Sequence, residues 1–312
     1  MVYQFVYRGV IMICVLGSIN MDLIANTERL PGPGETVSGN HFATAPGGKG
    51  ANQALAARRA GADVKMAGAV GSDNFADMAL ELLKSSGADL ENVKTTDEAT
   101  GTALILVGGD GENMIAVVAG ANGKVSSDDA RTIINQMSAG DSLLLQMEMD
   151  ADTVKIALEA ARDKGVRSIF NIAPMTDDAA KLAHLADIVV ANETEFDLLI
   201  GKGTLSDDER DAEMEKFAET HNRSVVITLG GDGVIAYHQG ARYSAKGLKI
   251  TPVDTVGAGD TFCGYLTQGL DADLGFEAAL SQAAVAGSLA CLKPGAQPAI
   301  PTIADVRNAL SS

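Results

Sequence analysis

Short apolar runs alternate with longer amphipathic stretches along almost the whole chain, and this alternation narrows the fold more than any other feature. The runs at 11–16, 64–70, 143–147, 168–172, 188–191, 225–229 and 233–237 are short and rich in Val, Ile, Leu and Ala. Such lengths suit strands buried on both faces. Between them, 51–60, 75–85, 128–137, 151–164, 208–220, 258–270 and 276–292 carry apolar residues at helical spacing. Ser72 ahead of Asp73, and Ser126-Ser127-Asp128-Asp129, supply helix-start residues. Repeated strand–helix units predict an α/β fold: a doubly wound parallel sheet flanked by helices.

Two segments break the rhythm. Residues 22–46 are rich in Gly, Pro and Thr, and 100–120 hold β-like runs at 102–107 and 113–118 around Gly108-Gly109-Asp110-Gly111. The second pattern is a hairpin. Both are expected to be antiparallel insertions forming a small β-sheet lid over the body. No repeat, low-complexity tract or linker divides the rest, so residues 12–312 are expected to be one domain. Residues 10–16 are apolar, but the run is short, with only Arg8 for positive charge, which favours a strand over a signal peptide. Met12 makes a natural start, and residues 1–11 are expected to be an extension outside the fold.

Charge excludes whole classes of partner. Asp+Glu number 41 against 24 Lys+Arg, a formal charge of −17. Such a chain repels nucleic-acid backbones and anionic membrane surfaces. No apolar stretch reaches the length of a membrane span. The cysteines, Cys14, Cys263 and Cys291, are sparse and odd in number, which fits a reducing compartment rather than a disulfide framework, and the four histidines are scattered, so no zinc site is expected. A soluble cytoplasmic protein is the expectation.

Four motifs carry possible chemistry. Neither a Walker-type loop, a complete dinucleotide fingerprint nor a serine-hydrolase elbow occurs. In Asp254-Thr-Val-Gly-Ala-Gly-Asp260-Thr-Phe262, small residues lead into a helical pattern. Such a turn lets backbone amides face an anion, with Asp260 in the first helical turn as a general base toward a hydroxyl. A plain Gly-rich turn with Asp260 as a helix-start stabiliser fits the same residues as well. In Pro46-Gly-Gly-Lys-Gly-Ala-Asn-Gln-Ala54, Lys49 and Asn52 lie three apart, suited to sugar hydroxyls, although a solvated lysine on a loop is the simpler reading. Asn20 and Asp22 follow the first strand on one face of an extended segment, where α/β sheets place ligands; an Asx turn is the alternative. Asn192-Glu-Thr-Glu195 suits a water-bound Mg²⁺, or else a capping box.

Taken together these motifs resemble the ribokinase family of carbohydrate kinases. Further matches are Pro-Gly-Glu-Thr-Val (33–37), Gly-Glu-Asn (111–113), Ala-Gly-Ala-Asn (119–122), Ile-Thr-Leu-Gly (227–230) and Lys-x-Gly-Ala-Gln-Pro (293–298). The resemblance runs from about Met12 to the C-terminus. It implies ATP-dependent phosphorylation of the 5-hydroxyl of D-ribose, by a homodimer paired through its lids. Asn20, Asp22, Gly48, Lys49, Asn52 and Glu148 would hold the sugar, with Asp260 as catalytic base and Gly257, Ala258 and Gly259 as anion hole. Asn192, Thr228 and Gly230 would line the ATP site, with Asn192 and Glu195 organising Mg²⁺. An activating K⁺ would bind at Asp254, Val256, Ala290, Lys293, Gly295 and Ala299, largely through carbonyls.

Three positions depart from the family's pattern. Ala299 replaces a common Ser, removing one side-chain oxygen from the cation site. Lys293 replaces a frequent Arg. Tyr265 stands where a small residue is expected, and its ring is predicted to disturb packing of the anion-hole helix. Other readings are a kinase for another small sugar, such as 2-deoxyribose, and a catalytically silent sugar-binding regulator.

Overall fold

The computed structural model describes residues 12–311; residues 1–11, the expected extension, lie outside the described residues. The first apolar run becomes β1 (Met12–Leu16), followed by β2 (Asn20–Thr27) and β3 (Gly39–Gly47). Next come α1 (Lys49–Arg59), β4 (Asp63–Val70), α2 (Asn74–Ser86), β5 (Asp89–Thr95), β6 (Gly101–Val107) and β7 (Asn113–Val118). Alternation then resumes with α3 (Ser127–Gln136), β8 (Ser142–Leu145), α4 (Ala151–Lys164), β9 (Arg167–Asn171), α5 (Asp177–Leu182) and β10 (Ile188–Asn192). The chain continues through α6 (Glu193–Leu199), α7 (Asp207–His221), β11 (Ser224–Thr228), β12 (Val234–His238) and β13 (Ala241–Ala245). Four helices close it: α8 (Ala258–Asp271), α9 (Phe276–Ala290), α10 (Ala296–Ala299) and α11 (Ile303–Leu310).

Among the described residues, nine strands form one sheet in the order β13-β12-β11-β10-β9-β8-β1-β4-β5. Alternating residues feed two separate cores. Ile13, Val15 and Leu144 face one layer with α1, α8 and α9, while Cys14, Leu16, Leu143 and Leu145 face the other with α3 and α4. Burial on both faces explains why these strands read as continuous apolar runs. The sheet is mixed rather than wholly parallel: β12 pairs antiparallel with β11, and β13 with β12. Their short connections leave no room for the crossover that parallel pairing requires.

The separate small sheet runs β3-β2-β6-β7. It corrects the expectation of purely antiparallel insertions, because β2 and β6 pair in parallel from Asn20↔Gly101 to Asn26↔Val107. The intervening β3-α1-β4-α2-β5 segment supplies the long crossover. Register gives the small sheet two unlike faces. Asn20 and Asp22 share one with Ala103 and Val117; Leu23, Phe42, Leu104, Leu106, Met114 and Val118 share the other. One helix start also differs: Asp73, not Ser72, caps α2, its carboxylate accepting the Phe75 and Ala76 N–H groups. Ser126 caps α3 in a full capping box.

Candidate active site

The order of strands locates the site. From β1 the chain moves to β4 and β5 on one side, then returns to β8 on the other, so the carboxyl ends of β1 and β8 flank a topological switch point. The residues after these strands converge there. Ser18 Oγ donates to Glu148 Oε2 at 2.5 Å, and the Lys49 backbone N–H donates to the same oxygen at 3.1 Å. Asn20 is fixed by Asn122, whose Nδ2 donates to Asn20 Oδ1 at 2.7 Å and whose Oδ1 accepts the Ile19 N–H at 2.9 Å. Gly48 caps α1 with φ 87°, and an added Cβ would lie 2.7 Å from the Asn20 nitrogen. Glycine is therefore needed there for both conformation and close approach.

Asp260, in the first turn of α8, is buried and bridges two parts of the site. Asn52 Nδ2 donates to its Oδ2 and Gln53 Nε2 to its Oδ1, both at 2.9 Å. Gly257 caps α8 with φ 76°, whereas Gly259 opens onto empty space. A cleft of about 140 Å³ follows, lined by Gly257, Gly259 and Asp260, by Lys49, and by Asn192, Glu195 and Thr228 from the ends of β10 and β11. The start of α8 thus borders the cleft through Gly257 and Gly259, while the Ala258 N–H donates to the Thr255 carbonyl at 3.3 Å; a helix N-terminus beside a cleft suits an anion. A second cavity, of about 420 Å³, lies on the other side and is lined by Ser18, Asn20, Asn122, Glu148 and Val117 of the small sheet.

Electrostatics tie the two spaces together. The Asp260 carboxylate raises the Lys49 pKa, with Glu148 and Glu195 adding to it and burial opposing. Burial, then Glu148 and Asp260, pushes Asp22 up to about 6. Burial, then Asp260 and Glu195, pushes the Cys263 thiol well up, which makes it a poor nucleophile.

Of the residues expected to hold the sugar, Asn20 and Glu148 line the second cavity and Lys49 lines the cleft, whereas Asp22, Gly48 and Asn52 line neither: Gly48 packs against Asn20, and Asn52 bonds Asp260. Asn192 and Glu195 form the capping box of α6: Glu195 Oε2 accepts the Asn192 N–H at 2.9 Å, and Asn192 Oδ1 accepts the Glu195 N–H at 2.8 Å. Gly230 sits in the turn after β11 with φ 53° and does not line the cleft. Asp254 joins two loops, its Oδ1 accepting the Val256 N–H at 3.0 Å and its Oδ2 the Gly295 N–H at 2.8 Å. Ala290 and Ala299 are buried nearby, whereas Lys293 is exposed. Tyr265 does not disturb α8. Contact with α1 runs through Gly264, where an added Cβ would lie 2.5 Å from Ala56 Cβ. The Tyr265 ring is instead fully buried, and its hydroxyl donates to the Pro301 carbonyl at 2.9 Å.

Ser18, Gln53, Asn122, Gln146 and Asn171 carry the site's hydrogen bonds without having been assigned a role from sequence. Gln53 and Asn122 lie inside the quoted motifs and Ser18 two residues before Asn20; Gln146 and Asn171 are the next-to-last residues of the apolar runs at 143–147 and 168–172 and give no signal of their own.

A model of the pfkB family of carbohydrate kinases matches residues 10–303. The chain belongs to this family. The ribokinase of Bacillus subtilis is 36% identical over 307 residues, covering 96% of this chain and 99% of that protein. The deoxyribokinase of Salmonella typhi is 31% identical over 305 residues, covering 96% and 98%. Among solved structures, Arabidopsis thaliana ribokinase complexed with ribose and ATP is similar with a TM-score of 0.87 and 31% identity, covering 97% and 99%. This pfkB-family chain is thus an enzyme with a ribokinase-like fold.

Proposed function

We propose that the protein is an ATP-dependent ribokinase, transferring the γ-phosphoryl group of ATP to the 5-hydroxyl of D-ribose to give D-ribose 5-phosphate. The observation that carries this reading is the position of Asp260. It accepts the Asn52 amide at 2.9 Å and lines the cleft beside Gly257, Gly259 and Lys49. In the proposed mechanism Asn20, Asp22, Lys49, Asn52 and Glu148 orient the sugar. Asp260 takes the 5-hydroxyl proton as that oxygen attacks the γ-phosphorus in line. The Gly257, Ala258 and Gly259 amides, with Lys49, offset charge on the transferring group. The small sheet acts as a lid that excludes water.

Among the described residues no cluster of three or more His, Cys, Asp or Glu side chains can hold a metal ion. A Mg²⁺ here would therefore be shared with ATP phosphates, as is usual for kinases. The donor set fits that role: the capping box engages Glu195 Oε2 and leaves Oε1 for a Mg²⁺-bound water, beside Asn192 on the same cleft. Bound there, Mg²⁺ would neutralise charge on the β- and γ-phosphate oxygens. The Asp254 carboxylate bonds the Val256 and Gly295 N–H groups and so draws the two loops together, which supports a K⁺ site made by their carbonyls, Ala299 offering no side-chain oxygen.

The apolar outer face of the small sheet supports a homodimer paired through the lids. Phe42, Leu104, Met114 and Val118 are 64%, 48%, 52% and 53% exposed on one face, a continuous apolar surface of the kind that marks an interface. The free thiols fit a cytoplasmic enzyme. Among the described residues no helix is long and apolar enough to cross a membrane.

The test is ADP formation with Mg²⁺ across ribose, 2-deoxyribose, fructose and adenosine, with and without K⁺. Turnover on ribose stimulated by K⁺ is expected. Turnover confined to another sugar overturns the substrate, and ribose binding without turnover on any acceptor overturns the activity.

A further inference from the structure

A chain of buried amides ends on the base. Val190 offers only a carbonyl, so Asn171 must present Nδ2 to it, at 3.3 Å. Asn171 Oδ1 then faces Gln53 Nε2, also at 3.3 Å. Gln53 Oε1 accepts Gln146 Nε2 at 2.7 Å, and Gln53 Nε2 donates to Asp260 Oδ1 at 2.9 Å. Gln53 and Gln146 are fully buried. A flipped Gln53 amide would set its oxygen against two other oxygens and its nitrogen against a nitrogen. Only one orientation satisfies every partner.

We infer that Gln53 is a positioning residue for phosphoryl transfer. Locked by Gln146 and Asn171, its amide holds Asp260 Oδ1 while Asn52 holds Oδ2, each at 2.9 Å, so the two donors fix the plane in which the carboxylate meets the sugar hydroxyl. This rests on Asp260 being the base. The other titratable groups around this carboxylate are Lys49 on α1, Glu148 after β8, Asp22 on β2, Glu195 on α6 and Cys263 on α8. Gly17 belongs to the same device, because a Cβ there would lie 2.0 Å from Gln146 Oε1.

The experiment compares kcat, the sugar KM and the pH profile of kcat/KM for wild type, Gln53→Met, Gln53→Glu and Asp260→Asn. Gln53→Met is expected to lower kcat at least tenfold with less than a threefold change in KM. Gln53→Glu puts a second carboxyl against Asp260, and the acid limb of its profile is expected to rise by a pH unit or more. If Gln53→Met fails to fold, Gln146→Leu takes its place, with the same kcat-selective loss expected. Unshifted limbs and unchanged kcat in the Gln53 and Gln146 variants, with Asp260→Asn inactive, would overturn the positioning role and leave the base intact. Full turnover by Asp260→Asn would overturn both.

Discussion

Gly257 and Gly259, separated by one residue, should respond in opposite ways to the same added methyl group. At Gly257 the backbone is left-handed, with φ 76°, which costs an L-residue about 1–2 kcal/mol. The new Cβ would also lie 2.8 Å from Ala296 Cβ and 2.9 Å from its Cα. Such overpacking adds about 1–3 kcal/mol, because a backbone atom cannot swing away. Gly257→Ala should therefore lose about 2–5 kcal/mol of stability, the sum of these two costs. Gly259 lies in the first turn of α8, and a methyl there meets nothing within 4 Å. Gly259→Ala should keep its stability or gain up to about 1 kcal/mol. The methyl nevertheless enters the cleft proposed to receive the phosphoryl group, so kcat should fall at least tenfold, about 1.4 kcal/mol in the barrier. Denaturant midpoints and steady-state kinetics on both variants separate the effects. Wild-type kcat in Gly259→Ala would refute the anion cradle, and wild-type stability in Gly257→Ala would refute the packing argument.

Other consequences are equally direct. Tyr265→Phe leaves the buried Pro301 carbonyl without its donor and should cost about 1–3 kcal/mol in a denaturant titration, with kcat unchanged. Burial beside Glu148 and Asp260 raises Asp22 from 3.8 to about 6, so its protonated form favours the folded state. That contribution is fully present below about pH 4 and lost as pH rises through about 6. The melting temperature of wild type should therefore fall relative to Asp22→Asn between those values, and parallel profiles would count against the shift. Leu104→Glu places a charge in the exposed apolar face and should give a monomer by light scattering; an unchanged mass would contradict pairing through that face.

How much was legible in sequence followed from burial. Strands buried on both faces, such as β1 and β8, stood out as apolar runs. β5 and β13 did not, because each pairs on one side only and carries polar residues: Asp89-Leu-Glu-Asn-Val-Lys-Thr95 and Ala241-Arg-Tyr-Ser-Ala245. The parallel β2–β6 pair was hidden because its partners lie about eighty positions apart, while the β6–β7 hairpin was announced by its local Gly/Asp turn. The same distinction holds in the site. Asp260 and Lys49 could be picked out because glycines surround them. The tasks of Gln53 and Asn122 depend on partners more than ninety residues away, and nothing local shows them. Tyr265 was expected to disturb α8, but a helix sends adjacent side chains in different directions, and Gly264 takes the crowded contact instead.

The central claim is that Asp260 removes the proton from a ribose hydroxyl during phosphoryl transfer. Its most direct test is ribose-dependent ADP formation by Asp260→Asn beside wild type, with ribose binding measured calorimetrically on the same samples. The account predicts that the variant binds ribose and loses turnover by about two to four orders of magnitude, the range of general-base catalysis. A variant that binds ribose and turns over at close to the wild-type rate would contradict it.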